Sequence, residues 1–296
     1  MKAITLTPKQ KRIAGETVLF IFMLLLAFVA LAPFYWSILI SFRPQELIYT
    51  DRSWIPTTVT LEHYKDVFEN VDIIRYFFNT LFLTVVNILT NLLFASMAAY
   101  GFEKLRFRGG NVIFKVMLAS MMLPGIATTV PTYLLLRSFP LFGGNDILGQ
   151  GGTGLIGSWL GVLLPGSVGV YGIFFMRQFF IPVSSEYAEA GRLDGAGELR
   201  IFFSLYLPML VPALLTLGIF CFQGVWNSYM WPNLILQGHE ELSVLTMALR
   251  NYSLRTNFQY GPMMAMSVLM SIPIIVIFCF MQKYFISGVA IGGVKG

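Results

Sequence analysis

Six long stretches without a charged residue constrain this chain more than any other feature. No Asp, Glu, Lys or Arg occurs in residues 17–42, 76–102, 116–136, 147–176, 201–239 and 256–282. Each stretch can hold the roughly 20 apolar residues that an α-helix needs to cross the hydrocarbon core of a bilayer. Their side chains do not alternate in polarity as those of barrel strands do. The sequence therefore predicts an all-α integral membrane protein with six transmembrane helices, near residues 17–40, 77–101, 116–136, 155–176, 206–229 and 262–282.

Composition excludes a soluble globular protein. The chain is 56% hydrophobic and 12% charged, whereas a soluble domain is about 25% charged. No shift in composition and no repeat of fixed period divides it, so we expect a single membrane domain over residues 1–296. The two cysteines, Cys221 and Cys279, lie in predicted helices, where they are expected to act as small apolar residues. They indicate neither a disulfide framework nor a metal site.

The basic residues predict how the helices are oriented. If the N-terminus is inside, thirteen Lys and Arg residues fall in inner segments and seven in outer segments. This bias favours an N-in, C-in topology, which places the loop at residues 177–205 in the cytoplasm. The net charge of +5 then reflects topology, and no basic module indicates a nucleic-acid partner. A cleaved signal peptide is the alternative for the first helix, but its apolar run is too long and Pro33 would follow the cut directly.

The loop at residues 177–205 is rich in mixed charges and turn residues, in contrast to the apolar runs on either side. The serine pair at 184–185 predicts a helix start, and Glu186 and Glu189 suit the positive end of that helix. Asp194-Gly195 predicts a turn. A second helix is expected to run from Glu198 into the fifth span. Considered as chemistry alone, the loop could also be an ordinary amphipathic connection.

Residue spacing in this loop points to a family. Glu189-Ala190-Gly191 is followed after three residues by Gly195, and nine residues later by Leu205-Tyr206-Leu207-Pro208. This resembles the EAA loop of ABC-importer permeases, with Gly191 in place of the last alanine and Leu205 in place of isoleucine. The resemblance implies that the loop couples the chain to a separate ATPase. The coupling residues would then be Glu186, Glu189, Ala190, Gly191, Asp194, Gly195, Leu205 and Pro208.

Three further segments are similar to permeases that import carbohydrates of the maltose type. They are Ser41-Phe42-Arg43-Pro44, the stretch from Trp226-Asn227 to Trp231-Pro232, and the C-terminal tail. The resemblance implies that the tail contacts the ATPase through Gly293, Val294, Lys295 and Gly296. It also implies a type I ABC importer permease fold in the inner membrane of a prokaryote.

The resemblance implies a complete transport assembly around this chain. It would contain a second permease in a heterodimer, a dimer of ABC ATPases and an extracytoplasmic solute-binding protein, with a sugar as substrate and lipid around the spans. The sequence has no G-x-x-x-x-G-K-[ST] phosphate loop. We therefore expect a non-catalytic subunit without a cofactor of its own, whose partner ATPase binds ATP and Mg²⁺ and drives alternating access.

Polar residues within the spans are candidates for a sugar path. Asn87 and Asn91 lie one helical turn apart, as do Gln223 and Asn227, and Trp226 is close to the second pair. Polar groups in a span seldom face lipid, because an unpaired polar group there costs several kcal/mol. The four amides could line a wet cavity or join one helix to another. The sequence leaves both interpretations open.

Three rival functions use the same fold class. A secondary transporter coupled to protons or sodium would need an ionisable residue inside a span, and the predicted spans have none. A membrane scaffold or a channel subunit would give no reason for the loop spacing. An ABC permease for another solute, such as glycerol phosphate or an amino acid, stays open because the loop pattern is shared.

Overall fold

The structure is a computed structural model that describes residues 8–105, 107–256 and 259–293, and only the backbone of residues 10, 11 and 283–293. Every regular element in these residues is helical. The α-helices are α1 (Pro8–Ser41), α2 (Glu62–Asn70), α3 (Ile73–Tyr100), α4 (Gly110–Ser120), α5 (Gly125–Arg137), α6 (Trp159–Leu163), α7 (Val170–Phe180), α8 (Glu186–Leu193), α9 (Glu198–Ile201), α10 (Leu207–Met209), α11 (Val211–Trp226), α12 (Met230–Ile235), α13 (Leu245–Arg255) and α14 (Tyr260–Gly293). Single 3₁₀ turns occur at Gln45–Leu47, Leu164–Gly166 and Glu240–Leu242.

Two wider, π-helical turns extend helices of this set. Gly101–Leu105 continues α3, and Phe202–Tyr206 joins α9 to α10. A π turn accommodates one residue more than an α turn and is frequent at functional sites. The charge distribution predicts that both turns lie at the cytoplasmic ends of their helices.

Three helices are long and apolar enough to cross a membrane without interruption. They are Arg12–Ser41, Ile73–Leu105 and Tyr260–Gln282, and they match the first, second and sixth predicted spans. The structure thus contains the expected all-helical architecture. The total of six spans and the N-in, C-in orientation stay predictions.

The other three predicted spans are broken pairs rather than straight helices. The pair α4 and α5 bends by 106°, the pair 159–166 and 170–180 by 41°, and the pair 198–209 and 211–226 by 82°. Proline accounts for the breaks: Pro124 precedes α5, Pro165 lies in the turn after α6, and Pro208 and Pro212 flank the third bend. A proline lacks the N–H that would continue a helix and its ring clashes with the preceding turn. Each pair can still count as one span.

Contacts between Cα atoms divide the described chain into two compact units, residues 8–71 with 251–271 and residues 72–250 with 272–293. In the first unit, Arg43 is fully buried. Its Nη2 donates to the Ser53 carbonyl at 2.7 Å, its Nη1 donates to the Asp51 carbonyl, and its guanidinium lies 5.7 Å from the Trp36 ring. His63 Nε2 lies 2.8 Å from the Arg43 carbonyl oxygen. Arg43 therefore holds together the irregular segment between α1 and α2.

The second unit has two buried apolar clusters. One joins α3 and α7 to α8, the third bent pair and Phe114 of α4. The other packs Leu83 of α3 against Leu136, Val162, Ile235 and Val244. The first cluster positions the loop around α8, and the second forms the floor of a cavity among α3, α5, α6 and α12.

The segments between the predicted spans contain the short helices α2 and α13. The glycine-rich segment 138–154 is irregular. Asn145, which is buried, donates to the carbonyls of Arg137 and Phe139 and accepts from the Gly152 N–H. The amide of Asn145 thus forms hydrogen bonds with three backbone groups that have no hydrogen-bond partner within a helix.

Candidate functional site

The short helix α8 is held against the rest of its unit through its buried side. Ala188 and Gly191 are buried there. Tyr206 donates from its hydroxyl to the Ser184 carbonyl at 3.0 Å, and Lys104 donates to the Val183 carbonyl. At the start of the helix, the Ser184 hydroxyl accepts from the Glu186 N–H at 3.2 Å, as the serine pair predicted. These bonds connect the start of α8 to the third bent pair and to the π turn after α3.

Gly191 is a point of close approach between α8 and the helical segment that follows it. A Cβ atom there would lie 3.1 Å from Cγ1 of Ile201 and 3.2 Å from Cδ1 of Leu205. The turn after the helix uses Gly195, whose φ of +79° is strained for any residue with a side chain. The Ala196 N–H then donates to the Gly191 carbonyl at 2.9 Å. The turn brings the chain back against the buried side of α8, where Ala188 and Gly191 lie.

A polar network connects the same loop to the end of α3. Buried Tyr100, at the end of α3, donates from its hydroxyl to Glu198 Oε2 at 2.7 Å. Arg192 of α8 donates from Nε to Glu198 Oε1 at the same distance. The bond to Glu198 raises the pKa of Arg192, so this side chain stays charged. One carboxylate of α9 therefore links α8 to α3.

The opposite side of α8 is open. Glu186, Glu189 and Ala190 are exposed, and so are Asp194 and Gly195 at the turn. Two large apolar side chains accompany them: Leu193 is 88% exposed and Tyr187 is 49% exposed. We call the face made by Glu186, Tyr187, Glu189, Ala190 and Leu193 the α8 face. Its mixture of carboxylates and uncovered apolar groups is typical of a surface that binds another protein.

The structure separates the eight predicted coupling residues into two groups. Five of them are exposed on α8 or at its turn, and Pro208 is exposed in α10. Gly191 and Leu205 instead pack against each other inside the loop. Sequence analysis missed Tyr187, Leu193, Tyr100 and Glu198. Leu193 and Tyr187 could have been noticed as large apolar side chains in a short, otherwise polar helix.

The predicted tail contacts lie almost entirely outside the described residues. Gly293 ends α14, and Val294, Lys295 and Gly296 are not described. The tail residues therefore stay predictions.

A cavity of about 340 Å³ lies among the broken helices of the second unit. The polar residues on its wall include Asn87 of α3, the α5 residues Thr128, Thr129 and Thr132, and Ser228 and Trp231 near α12. None of the described residues that line it is Asp, Glu, Lys, Arg or His. Gly125, the first residue of α5 after the break, also lines it.

The five predicted path residues differ in their surroundings. Asn87 and Asn91 both donate to the Gly166 carbonyl, at 2.9 and 3.1 Å. They thus join α3 to the turn after α6, and Asn87 also lines the cavity. The two interpretations that the sequence left open are therefore both present at Asn87.

The second predicted pair and its neighbouring tryptophan are placed differently. Gln223 and Asn227 are exposed, and Asn227 donates from Nδ2 to the Gln223 carbonyl at 3.0 Å. Trp226 is buried and stacks on Phe222, with Phe77 at its edge. None of these three belongs to the cavity lining given above. The tryptophan that does, Trp231, was missed although it ends the same sequence stretch.

Metal binding has no support in the part of the chain that the structure describes. No group of three or more His, Cys, Asp or Glu side chains that could hold an ion occurs there.

Comparison with known proteins identifies the family. The sequence model of the binding-protein-dependent transport system inner membrane component matches residues 91–291. The chain belongs to this family. It is an ABC transporter permease family, so the protein is a membrane transport subunit. The match includes α8, both π turns and the cavity-lining residues from Gly125 onward.

Individual relatives agree with this assignment over nearly the full length. The arabinooligosaccharides transport system permease protein AraQ of Halalkalibacterium halodurans is 31% identical over 277 residues, covering 92% of this permease and 93% of AraQ. A crystal structure of a bacterial ABC transporter that imports the acidic polysaccharide alginate matches with a TM-score of 0.76 and 25% identity, covering 95% of this permease and 99% of that chain. The alginate transporter in complex with its pentasaccharide-bound periplasmic protein matches with a TM-score of 0.58 and 16% identity, covering 92% and 95%. The permease thus has the type I ABC importer fold.

Proposed function

We propose that this permease is a transmembrane subunit of an ATP-driven importer of oligosaccharides that depends on a binding protein. The similarity to a permease named for arabinooligosaccharides and to a transporter of alginate supports a sugar as cargo. In this proposal the permease is one half of the translocation path, and a second permease in a heterodimer supplies the other. A binding protein delivers the sugar from outside, as a periplasmic protein does in the complex with alginate pentasaccharide.

The observation that carries the proposal is the α8 face. Leu193 is 88% exposed on the same short helix as the half-exposed Tyr187, and with the carboxylates beside them they form a surface that fits a protein partner. We propose that a cytoplasmic ABC ATPase covers it, with Tyr187 and Leu193 in an apolar cleft and Glu186 and Glu189 at its rim. The helix is suited to transmit force because Tyr100, Glu198 and Arg192 connect it to α3.

The proposed cycle is alternating access. The ATPase dimer binds ATP and Mg²⁺, and its closure draws the α8 helices of both permeases together. Closure can favour the outward-open state only as far as the closed ATPase dimer binds that state of the permease more tightly than the inward-open state. A rigidly braced α8 transmits this difference in binding free energy to the spans. The permease itself catalyses no reaction.

The test is co-purification followed by transport. A tagged copy of the permease should retain an ABC ATPase and a second permease, and proteoliposomes of this complex should accumulate sugar when ATP and the loaded binding protein are supplied. Leu193→Asp and Glu189→Lys should lower both ATPase retention and sugar uptake. Leu148→Asp is the matched control, since Leu148 is also strongly exposed, at 74%, and lies in the irregular segment 138–154, well before α8 in the sequence. Normal coupled uptake by both α8 variants would refute the role of this face.

The cargo has a separate outcome. If the complex accumulates glycerol phosphate or an amino acid and no sugar, the ABC permease assignment stands and the sugar assignment is wrong.

A further inference from the structure

The cavity among α3, α5, α6 and α12 has an uncharged lining in the described residues, largely apolar with several polar groups. At about 340 Å³ it lies near the lower end of the range of about 300–1,000 Å³ that is typical of small-molecule pockets. This is enough room for a short segment of an oligosaccharide. The segment would meet hydroxyls, one amide and one indole, together with apolar side chains such as Leu83 and Val162.

The hydroxyls on α5 are arranged to accept hydrogen bonds. Thr128 and Thr129 each donate to the Gly125 carbonyl, at 2.9 and 3.1 Å. Because the single hydroxyl hydrogen of each is used in this way, the oxygen lone pairs are left for donors on a ligand. Asn87 similarly uses Nδ2 for the Gly166 carbonyl, which leaves Oδ1 as an acceptor. Sugar hydroxyls are donors of the required kind.

Trp231 supplies the apolar surface that a sugar ring needs on its C–H face. Its Nε1 donates to the Val162 carbonyl at 3.3 Å, and its ring packs against the apolar cluster beneath the cavity. The indole is therefore held in place before a ligand arrives. A rigid aromatic side chain binds with little loss of conformational freedom.

The absence of charge on the described wall decides which sugars are suitable. When a carboxylate moves from water into a cavity that holds no cation, its loss of hydration carries a large free-energy cost. Neutral hydroxyls do not have this cost. The described wall offers the carboxylate of an acidic sugar no cation. An uncharged ring has no such cost and gains the hydrogen bonds to the threonine oxygens.

We infer that this cavity is a direct binding site for an uncharged sugar ring within the translocation path, and that it discriminates against uronic acids. The inference rests on the proposed function, since it names the substrate class of a sugar importer. It sets this permease apart from the structurally similar alginate transporter, whose cargo is acidic.

The first test measures binding without transport. In a Cys221→Ala, Cys279→Ala background, Thr132→Cys places a thiol on the cavity wall of the complete importer complex. Arabinotriose should slow the reaction of this thiol with a methanethiosulfonate reagent, and trigalacturonate at equal concentration should not. Thr90→Cys is the matched control on α3, because Thr90 is half-buried and bonds only within its own helix. No protection by arabinotriose, or equal protection by trigalacturonate, overturns the inference.

The second test measures transport kinetics. Thr129→Val removes a hydroxyl and keeps the shape, so the KM for uptake of arabinotriose should rise about threefold to tenfold, the factor expected for one lost hydrogen bond. Trp231→Leu should raise it further, whereas Thr90→Val should leave it unchanged. Unaltered KM values in both cavity variants contradict a direct contact. Uptake by the unmodified complex tests the proposed function separately, so either idea can fail while the other stands.

Discussion

Gly191 and Leu205 pack directly against each other, so that a Cβ atom added at Gly191 would lie 3.2 Å from Cδ1 of Leu205. These are the two positions at which the loop departs from the EAA pattern. The two departures therefore meet in space: the glycine makes room for the side chain of Leu205 and for that of Ile201. An alanine at position 191 would suit the helix better, but it would crowd both neighbours.

A double-mutant cycle tests this pairing. Gly191→Ala should lower stability by about 1 kcal/mol, because overpacking costs about 1–3 kcal/mol while alanine gains about 1 kcal/mol in helix propensity. In a Leu205→Ala background the same change should cost less, because only the close contacts with Ile201 remain. Thermal unfolding of the purified complex measures both. Gly15→Ala is the control, since no atom lies within 4 Å of that Cβ position; additive effects at 191 and 205 would contradict direct packing.

The link between Tyr100 and Glu198 should matter for coupling more than for assembly. Tyr100→Phe keeps the buried ring and removes the 2.7 Å hydrogen bond to the carboxylate. A hydrogen bond to a charged group contributes about 1.5–3 kcal/mol. We expect ATPase retention to be preserved, and stimulation of ATP hydrolysis by the loaded binding protein to fall several-fold. Tyr171→Phe, on the half-exposed side of α7, is the control; equal stimulation in both variants would sink this role.

The two asparagines on α3 should behave as substitutes for each other. Both donate to the Gly166 carbonyl, so either single alanine variant leaves one donor in place. Interhelical hydrogen bonds in membranes average about 0.6 kcal/mol, and we expect each single change to cost about that much or less. The double variant should cost more than the sum of the singles. Strict additivity in thermal unfolding would argue against a shared acceptor.

Arg43 should not be replaceable by lysine. Its guanidinium serves the carbonyls of Asp51 and Ser53 together and lies over Trp36, a geometry that a single ammonium group cannot reproduce. Arg43→Lys should destabilise the segment between α1 and α2 by about 2 kcal/mol, seen as faster proteolytic nicking there. Arg52→Lys, at an exposed position in the same segment, should have no effect. Equal nicking rates in the two variants would disprove the anchoring role.

Sequence was sufficient for the features that depend on local pattern. Charge-free stretches predicted where apolar helices lie, and the pair Asp194-Gly195 predicted a turn, in which the structure gives Gly195 a positive φ. The breaks within three spans were not predicted as sharp bends, because a proline shows where a helix weakens but not how far its halves separate. Burial was also beyond the sequence: Trp226 and Trp231 are five residues apart, yet one is in the core and the other on the cavity wall.

The π turn at Phe202–Tyr206 changes what the nine-residue interval in the loop pattern measures. That interval, from Gly195 to Leu205, is counted across a turn that contains one residue more than an ordinary helix. Deleting a residue of α9, ahead of a π turn that keeps its geometry, would rotate everything beyond by about 100°. Leu205 would then no longer face Gly191. The fixed interval thus sets the direction in which Leu205 points around the helix, rather than only the length of the loop. A loop with one residue fewer would have nearly the same composition, but its leucine would point away from Gly191.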